Sequence, residues 1–342
     1  MPRGDSEDPI KIDENAMNWY NEKILDRIER EMGRAIFPER FRYREEIMDK
    51  SLTKEQFDLL SQAAAAADTD REEQIYDELA GRFPSTAEEL EKAGYLEQGK
   101  ISQAGLEALE PYAAKRAVFI AAGFGSRLVP ITLNTPKPLV RVHGKRIIDS
   151  LIDACLEAGI REIYIVRGYL GEQFDQLLYK YPMIRFLENP LYNEANNISS
   201  SLIAKELLKN AYVFEADLLI SNPKIITKYH YSSDFLAIPV EKTDDWCFEE
   251  ADGIITKEKV GGENCWQMVG ISYWDAADGE KLARDIPEVY TEPEGTQHYW
   301  EQVPLVYRKE NYKVRIRPCR AEDIIEIDTF GELKAIDRAY DV

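Results

Sequence analysis

Histidine is scarce in this chain: three in 342 residues, His143, His230 and His298. They are scattered, and no Ser/His/Asp or Cys/His constellation for nucleophilic catalysis can be read around them. Cysteine is also scarce. Cys155, Cys247, Cys265 and Cys319 form no CxxC pair, which argues against a zinc site or a disulfide framework and predicts buried free thiols in a reducing compartment. No apolar run approaches the roughly 18 residues needed to span a bilayer. The N-terminal stretch Met-Pro-Arg-Gly-Asp-Ser-Glu-Asp has no apolar signal core, so the expectation is a cytoplasmic protein with no membrane partner. Positive charge is in short supply: 43 Lys and Arg against 63 Asp and Glu leave a net −20. Such an exterior repels phosphates, which argues against nucleic acid as a partner while still allowing a local basic pocket. Two common phosphate-binding loops are missing as well. There is no GxxxxGK[ST], and Gly123-Phe-Gly125 lacks the third glycine of a dinucleotide fingerprint.

The length suggests two domains, and 44% hydrophobic residues suffice for a real core. Residues 1–114 read as helical. Asn15 to Arg34 and Thr53 to Ala67 carry apolar residues at helical spacing, and the five alanines 63–67 favour helix. Ser85-Thr-Ala-Glu-Glu-Leu-Glu-Lys-Ala-Gly94 reads as a helix capped by Ser85 or Thr86 and stopped by Gly94. Then come a short β-wing turning at Gly99-Lys100 and a further helix. That order resembles a winged helix-turn-helix domain of the MarR-like kind. Its expected recognition helix carries Glu88, Glu89 and Glu91 against Lys92, the wrong sign for a phosphate backbone. Packing or homo-oligomer formation is therefore the favoured role, with Pro111–Lys115 as the linker.

From residue 115 to 342 the pattern changes. Apolar strand-like runs alternate with helical ones: "RAVFIAAG", helix Arg146–Ala158, "REIYIVRGY", helix Gly171–Lys180, "IRFLEN", helix Ile198–Lys209 and "AYVFEADLLI". This alternation predicts an α/β domain with a Rossmann-like, mixed but mainly parallel sheet and right-handed crossovers. Ligands of such sheets lie beyond the carboxyl ends of the strands. After Asp217 the runs "FLAIPVEK", "WQMVGISYWD" and "KVRIRPCR" read as further strands, some antiparallel.

At the first strand end stands "AAGFGSRLVPITLNTPKPL" (121–139). Gly123 and Gly125 can take positive φ and let a nucleotide approach the main chain, whose N–H groups bind phosphate oxygens, while Arg127 and Lys137 add mobile positive charge. The segment resembles the nucleotidyltransferases that activate sugar phosphates and small phospho-alcohols with NTP, whose loop reads AGxGxRLxPxTxxxPK. The likeness continues through "GKRIIDSLIDACLEAGIREIYIVRGY" (144–169). The stretches "ENPLYNEANNISSSLIAKELL" (188–208), "YVFEADLLI", "GISYWDAADGEKL", "HYWEQ" and "IIEIDTFGEL" resemble its bacterial phosphocholine cytidylyltransferase branch. The likeness covers residues 116–340. The HxGH signature of the other cytidylyltransferase fold is absent.

The resemblance implies that Ala121, Ala122, Gly123, Phe124, Gly125 and Ser126 cradle base and phosphates, with Asn196, Asn197 and Ser200 near the base and α-phosphate. It implies that Arg127 and Lys137 neutralise the triphosphate and the departing pyrophosphate, and that Asp217 and Asp328 are catalytic and hold Mg²⁺. Independently, Mg²⁺ prefers oxygen ligands and is commonly held by one or two carboxylates together with phosphate oxygens. The implied reaction transfers CMP from CTP to phosphocholine. An ionised phosphate is its own nucleophile, so positioning and charge neutralisation carry the catalysis. A quaternary ammonium is held by aromatic faces, which nominates Tyr192, Trp274, Tyr299 and Trp300, with Glu301 as an anionic wall. The rival acceptor is 2-aminoethylphosphonate, whose ammonium would need carboxylates. A rival of another class is a DNA-binding regulator with a nucleotide-sensing domain.

Overall fold

The computed structural model describes residues 51–67 and 72–341. The expected helix Asn15–Arg34 lies outside them. Among the described residues three helices come first, α1 (Lys54–Ala66), α2 (Glu72–Arg82) and α3 (Pro84–Lys92). A two-strand antiparallel ribbon, β1 (Leu96–Glu97) and β2 (Lys100–Ile101), and helix α4 (Gln103–Leu109) follow. Thr53 closes a capping box with Gln56 at the start of α1. Helix α3 does not begin on a Ser85 or Thr86 cap. Pro84 occupies its first turn, where a fixed φ and a missing N–H cost nothing, and Gly94 at φ 76° ends the run. Leu59, Leu60, Leu90 and Tyr112 are buried together. The stretch expected as a linker is thus folded in. The Tyr112 hydroxyl accepts from Leu52 N at 2.9 Å, and its ring stacks on Tyr231 at 5.9 Å.

Strand β3 (Arg116–Ile120) is apolar on both faces because both are covered, as expected of a central parallel strand. A small hairpin, β4 (Arg141–Val142) with β5 (Lys145–Arg146), leads into α5 (Ile147–Glu157) and β6 (Glu162–Arg167). Strand β7 (Arg185–Glu188), helix α6 (Ile198–Ala204) and strand β8 (Ala211–Glu215) complete the parallel set. Between β6 and β7 the expected helix Gly171–Lys180 is instead a 3₁₀ segment over Gly171–Tyr179. Its buried positions, Gly171, Phe174 and Leu177, recur at a spacing of three, which is the 3₁₀ repeat. Helix α6 likewise tightens to 3₁₀ after Ala204, short of the expected Lys209.

The chain then forms β9 (Leu218–Ile220), two long strands β10 (Asp234–Ala251) and β11 (Ile254–Trp274), and helix α7 (Ala276–Thr291). Strands β12 (Arg315–Pro318) and β13 (Ile324–Glu326) and helix α8 (Phe330–Ile336) close it. The seven-stranded sheet runs β10-β12-β11-β8-β3-β6-β7. Its β8, β3, β6 and β7 are parallel, and β11 joins antiparallel to β8, which gives the mixed, mainly parallel order expected. Strands β10 and β11 form one hairpin turning at Asp252-Gly253, both at positive φ (53° and 75°), a geometry suited to a tight two-residue turn. Helix α5 packs Ile148, Leu151 and Ile152 on one face of the sheet. Helices α6 and α7 pack Leu202, Leu282 and Ile286 on the other.

Helix α7 meets the turn after α6 at Gly279, where an added Cβ would lie 2.6 Å from the Leu208 oxygen and the Lys209 Cα. Backbone cannot yield as a side-chain tip can. Gly279→Ala should therefore lower unfolding stability by about 1–3 kcal/mol, as overpacking does, read from the urea midpoint; an unchanged midpoint would contradict this close approach.

Candidate active site

The cleft forms where β3 ends. Ile120 pairs in register with Glu215 at the end of β8, so the glycine loop and the Glu215–Asp217 turn emerge side by side. Gly125 sits at φ 67°, and a Cβ there would press on Lys137 Cβ at 3.1 Å and Thr132 Cγ2 at 3.2 Å. The Thr132 hydroxyl donates to the Gly125 carbonyl at 2.9 Å. Gly123, by contrast, has no positive φ. A Cβ there would meet nothing within 4 Å, so what it gives is open room beside the main chain. Ala122 is buried and accepts from Tyr169 N at 3.0 Å, while Phe124 stands exposed, edge-on to Tyr169. Ala121, Gly123, Gly125 and Ser126 line an open cleft of about 280 Å³; Ala122 and Phe124 do not.

Charge converges on that cleft. Lys137 Nζ lies 2.8 Å from Asp217 Oδ2 and 2.8 Å from Asp328 Oδ1. Arg127 Nη1 donates to the other Asp328 oxygen at 2.7 Å. Burial works against the charge on Lys137, yet the two aspartates outweigh it and hold the ammonium above its ordinary pKa. The aspartates meet because β13 pairs antiparallel with β9, setting Glu326 opposite Leu218, and because Ile327 N donates to the Asp217 carbonyl at 3.2 Å.

Two further carboxylates stand there that sequence reasoning missed. Oxygens of Glu215, Asp217 and Glu326 lie within 4.8 Å of one another, and Asp217 Oδ1 is buried with no hydrogen-bond partner. Asp328 reaches Asp217 through Lys137, so the tight oxygen cluster is not the Asp217–Asp328 pair expected. Burial, then the charges of Asp217 and Asp328, push Glu326 up to about 9. Burial, then Asp217 and Glu301, push Glu215 well above the carboxylate range. The signal was a Glu two residues before each Asp, in Glu215-Ala-Asp217 and Glu326-Ile-Asp328.

The other expected residues divide. Asn197 lines the cleft, and its Oδ1 accepts from Trp300 N at 2.8 Å. Asn196 is turned to the Gln297 carbonyl, and Ser200 is buried, accepting from Asn189 Nδ2. Tyr192 packs on the bare Gly168, where a Cβ would sit 2.7 Å from its ring carbon Cγ. Trp274 and Trp300 are corrected from ligand faces to packing: they are 0% and 2% exposed, meet edge to face at 5.8 Å, and Trp274 Nε1 donates to Ser272. The last six residues of β11, Val269 to Trp274, are all buried, and Trp274 packs among the residues of α6 and α7. Tyr299 remains accessible at 39% and meets Trp246 edge-on at 5.7 Å. Glu301 is 2% exposed, accepts a hydrogen bond from Asn197, and is raised to about 8 by burial and then by Glu258.

This architecture, a glycine loop with two cations facing strand-end acids, is that of a phosphate-handling α/β protein. Residues 116–241 match the family described as Nucleotidyl transferase. The chain is 38% identical over 228 residues to a 2-aminoethylphosphonate cytidylyltransferase of Lancefieldella rimae, covering 66% of this chain and 92% of that protein. It is 32% identical over 226 residues to a choline-phosphate cytidylyltransferase of Streptococcus pneumoniae, covering 65% and 96%. The solved structure of a CTP:phosphocholine cytidylyltransferase from Streptococcus pneumoniae matches with TM-score 0.61 at 32% identity, over 66% of this chain and 99% of that one. The protein belongs to the nucleotidyl transferase family.

Lys137→Met would leave Asp217 and Asp328 without their shared ammonium. Because both aspartates keep some contact with water, the loss should be about 2–3 kcal/mol, below the full cost of breaking a buried pair. Millimolar Mg²⁺ should restore part of it by binding the freed carboxylates. Thermal melting with and without Mg²⁺ checks this; a variant as stable as the parent would show that the lysine does not balance those acids.

Proposed function

We propose that this chain transfers CMP from CTP to a small phosphorus acid carrying a cationic nitrogen. The observation that carries the reading is Lys137 at 2.8 Å from both Asp217 and Asp328, beside a loop with room at Gly123. The triphosphate lies along the loop Ala121–Ser126, where main-chain N–H groups and the side chains of Arg127 and Lys137 take its negative charge. An ionised oxygen of the acceptor attacks the α-phosphorus, one P–O bond forms, the bond to the β-phosphate breaks, and pyrophosphate leaves with its electron pair. No protein nucleophile is needed, so the chain's contribution is alignment and charge balance. A residual positive charge on Lys137 is secured by its two aspartates, and Arg127 is free to follow the departing pyrophosphate because its side chain is 65% exposed.

The acid cluster fits a divalent ion. Asp217 Oδ1 is orphaned in a buried position, and Glu215 and Glu326 bring oxygens close to it. Asp217 would hold Mg²⁺ with Glu215 and Glu326, and with Asp328 once Lys137 turns to the phosphates. When bound, the ion would offset charge developing on the transferred phosphoryl group.

The first reading of the acceptor is 2-aminoethylphosphonate, supported by the Lancefieldella relative and by the inward turn of Trp274 and Trp300, which leaves few aromatic faces. Phosphocholine is the second reading. It is favoured by the accessible Tyr299 beside Trp246, since ring faces hold a quaternary ammonium. Helices α1–α4 and the ribbon β1–β2, within the expected domain 1–114, make a winged-helix-like unit with a packing or self-association role, and the residues from 115 onward serve as the catalytic domain of a cytoplasmic enzyme. Glu88, Glu89 and Glu91 are all exposed on α3, which speaks against duplex DNA as its partner.

Pyrophosphate release with Mg²⁺ should be measured for four nucleotides against 2-aminoethylphosphonate, phosphocholine, phosphoethanolamine and glucose 1-phosphate. CTP with the amino-bearing acceptors should be active and glucose 1-phosphate inert. Asp217→Ala and Asp328→Ala should each lower turnover by about 100-fold or more while remaining folded. Preference for the sugar phosphate, or turnover unaffected by either change, would refute the reading.

A further inference from the structure

Strand β11 gains residues just where it reaches β8. Phe235 lies opposite Ser272 and Ala237 opposite Met268, so the single residue Leu236 on β10 faces three on β11, Val269, Gly270 and Ile271. An unequal stretch of this kind bends a strand and re-aims what stands beside it. Gly270 occupies the middle of the bulge at φ 66°, in the left-handed region that favours glycine. The next residue, Ile271, pairs with Phe214 of β8, which puts Gly270 alongside Glu215, where β8 ends.

Glu215 fills the room that this glycine leaves. A Cβ built on Gly270 would lie 3.1 Å from Glu215 Oε2 and 3.2 Å from both its Cβ and its Cγ. The bare glycine thus follows the side chain from its root to its carboxylate. That root is fixed, because Glu215 pairs in register with Ile120 of β3. A collision at Gly270 would be relieved by turning the outer bonds of Glu215, since moving β11 instead would break its pairing with β8 one residue away. Turning them shifts the carboxylate from its place among the oxygens of Asp217 and Glu326, which lie within 4.8 Å of it. Resting on the cytidylyltransferase reading, we propose that Gly270 is a positioning residue for the divalent ion: the β11 bulge is a slot that aims the Glu215 carboxylate into the acid cluster. It acts through Glu215 alone.

The test uses the full chain, Mn²⁺ and a non-hydrolysable CTP analogue, with Mn²⁺ retained beyond what the analogue alone binds counted by electron paramagnetic resonance. Gly270→Ala should weaken Mn²⁺ binding by about 10-fold or more, the size expected when a group that orients a metal ligand is changed. Glu215→Ala should weaken it too. Adding Gly270→Ala to that variant should do no further harm, because residues that act as a unit are not additive. In Gly270→Ala the Mg²⁺ concentration for half-maximal pyrophosphate release should rise in the same proportion, with KM for the acceptor held. If Gly270→Ala does not fold, the double variant should, since the contacts with Cγ and Oε2 are gone. No Mn²⁺ retained by wild type, unchanged affinity in either single variant, an equal further loss in the Glu215→Ala background, or a double variant that also fails to fold overturns the positioning role while leaving cytidylyl transfer standing. Failure of wild type to release pyrophosphate with any acceptor removes the transfer reading itself, and the proposal with it.

Discussion

One ammonium holds this site together. Lys137, almost wholly buried, faces Asp217 and Asp328 at equal distance, and Glu215 and Glu326 crowd the same few ångströms. Four carboxyl groups so near one another cannot all be ionised around Lys137 and the more exposed Arg127 without strong repulsion. The raised positions of Glu215 and Glu326 express that shortage of positive charge. On the proposed reading, a site so short of positive charge accepts a divalent ion and lets Lys137 exchange aspartate contacts for phosphate oxygens. Binding and chemistry then draw on the same electrostatic imbalance.

The geometry behind that imbalance is made by strand pairing. The glycine loop leaves β3, the Glu215–Asp217 turn leaves β8 beside it, and the β9–β13 ribbon carries Glu326 and Asp328 across to them. The ribbon is short, so the site also depends on what packs beneath it. Ile327 and Leu333 are buried with Leu128 and Val140 in one small cluster, which anchors the loop and the C-terminal acids to a common base. Thr329 and Glu332 close a capping box at the start of α8 directly after Asp328, fixing where that carboxylate points.

Much of this was legible in the residues. Apolar runs covered on both faces marked the parallel strands, and the loop's spacing marked the cations at 127 and 137. The Glu-X-Asp repeats held the missed carboxylates in plain view, but only the register of β9 with β13 makes them neighbours. The aromatic expectation failed for a different reason. Tryptophans near a strand end can face core or ligand, and the end of β11 is covered on both faces, so Trp274 meets core against Trp300. The hairpin β10–β11 was not foreseen as one element, because the charged middle of both strands hides the pairing.

The central claim is that the strand-end acids and the glycine loop hold a divalent ion and a triphosphate together. Crystals grown with Mn²⁺ and a non-hydrolysable CTP analogue would test it by anomalous diffraction. The account predicts a manganese peak within bonding distance of Asp217, with the α-phosphate beside the loop at Gly123 and Lys137 turned toward phosphate. A triphosphate bound elsewhere, or manganese absent from the Asp217 carboxylate, would contradict it.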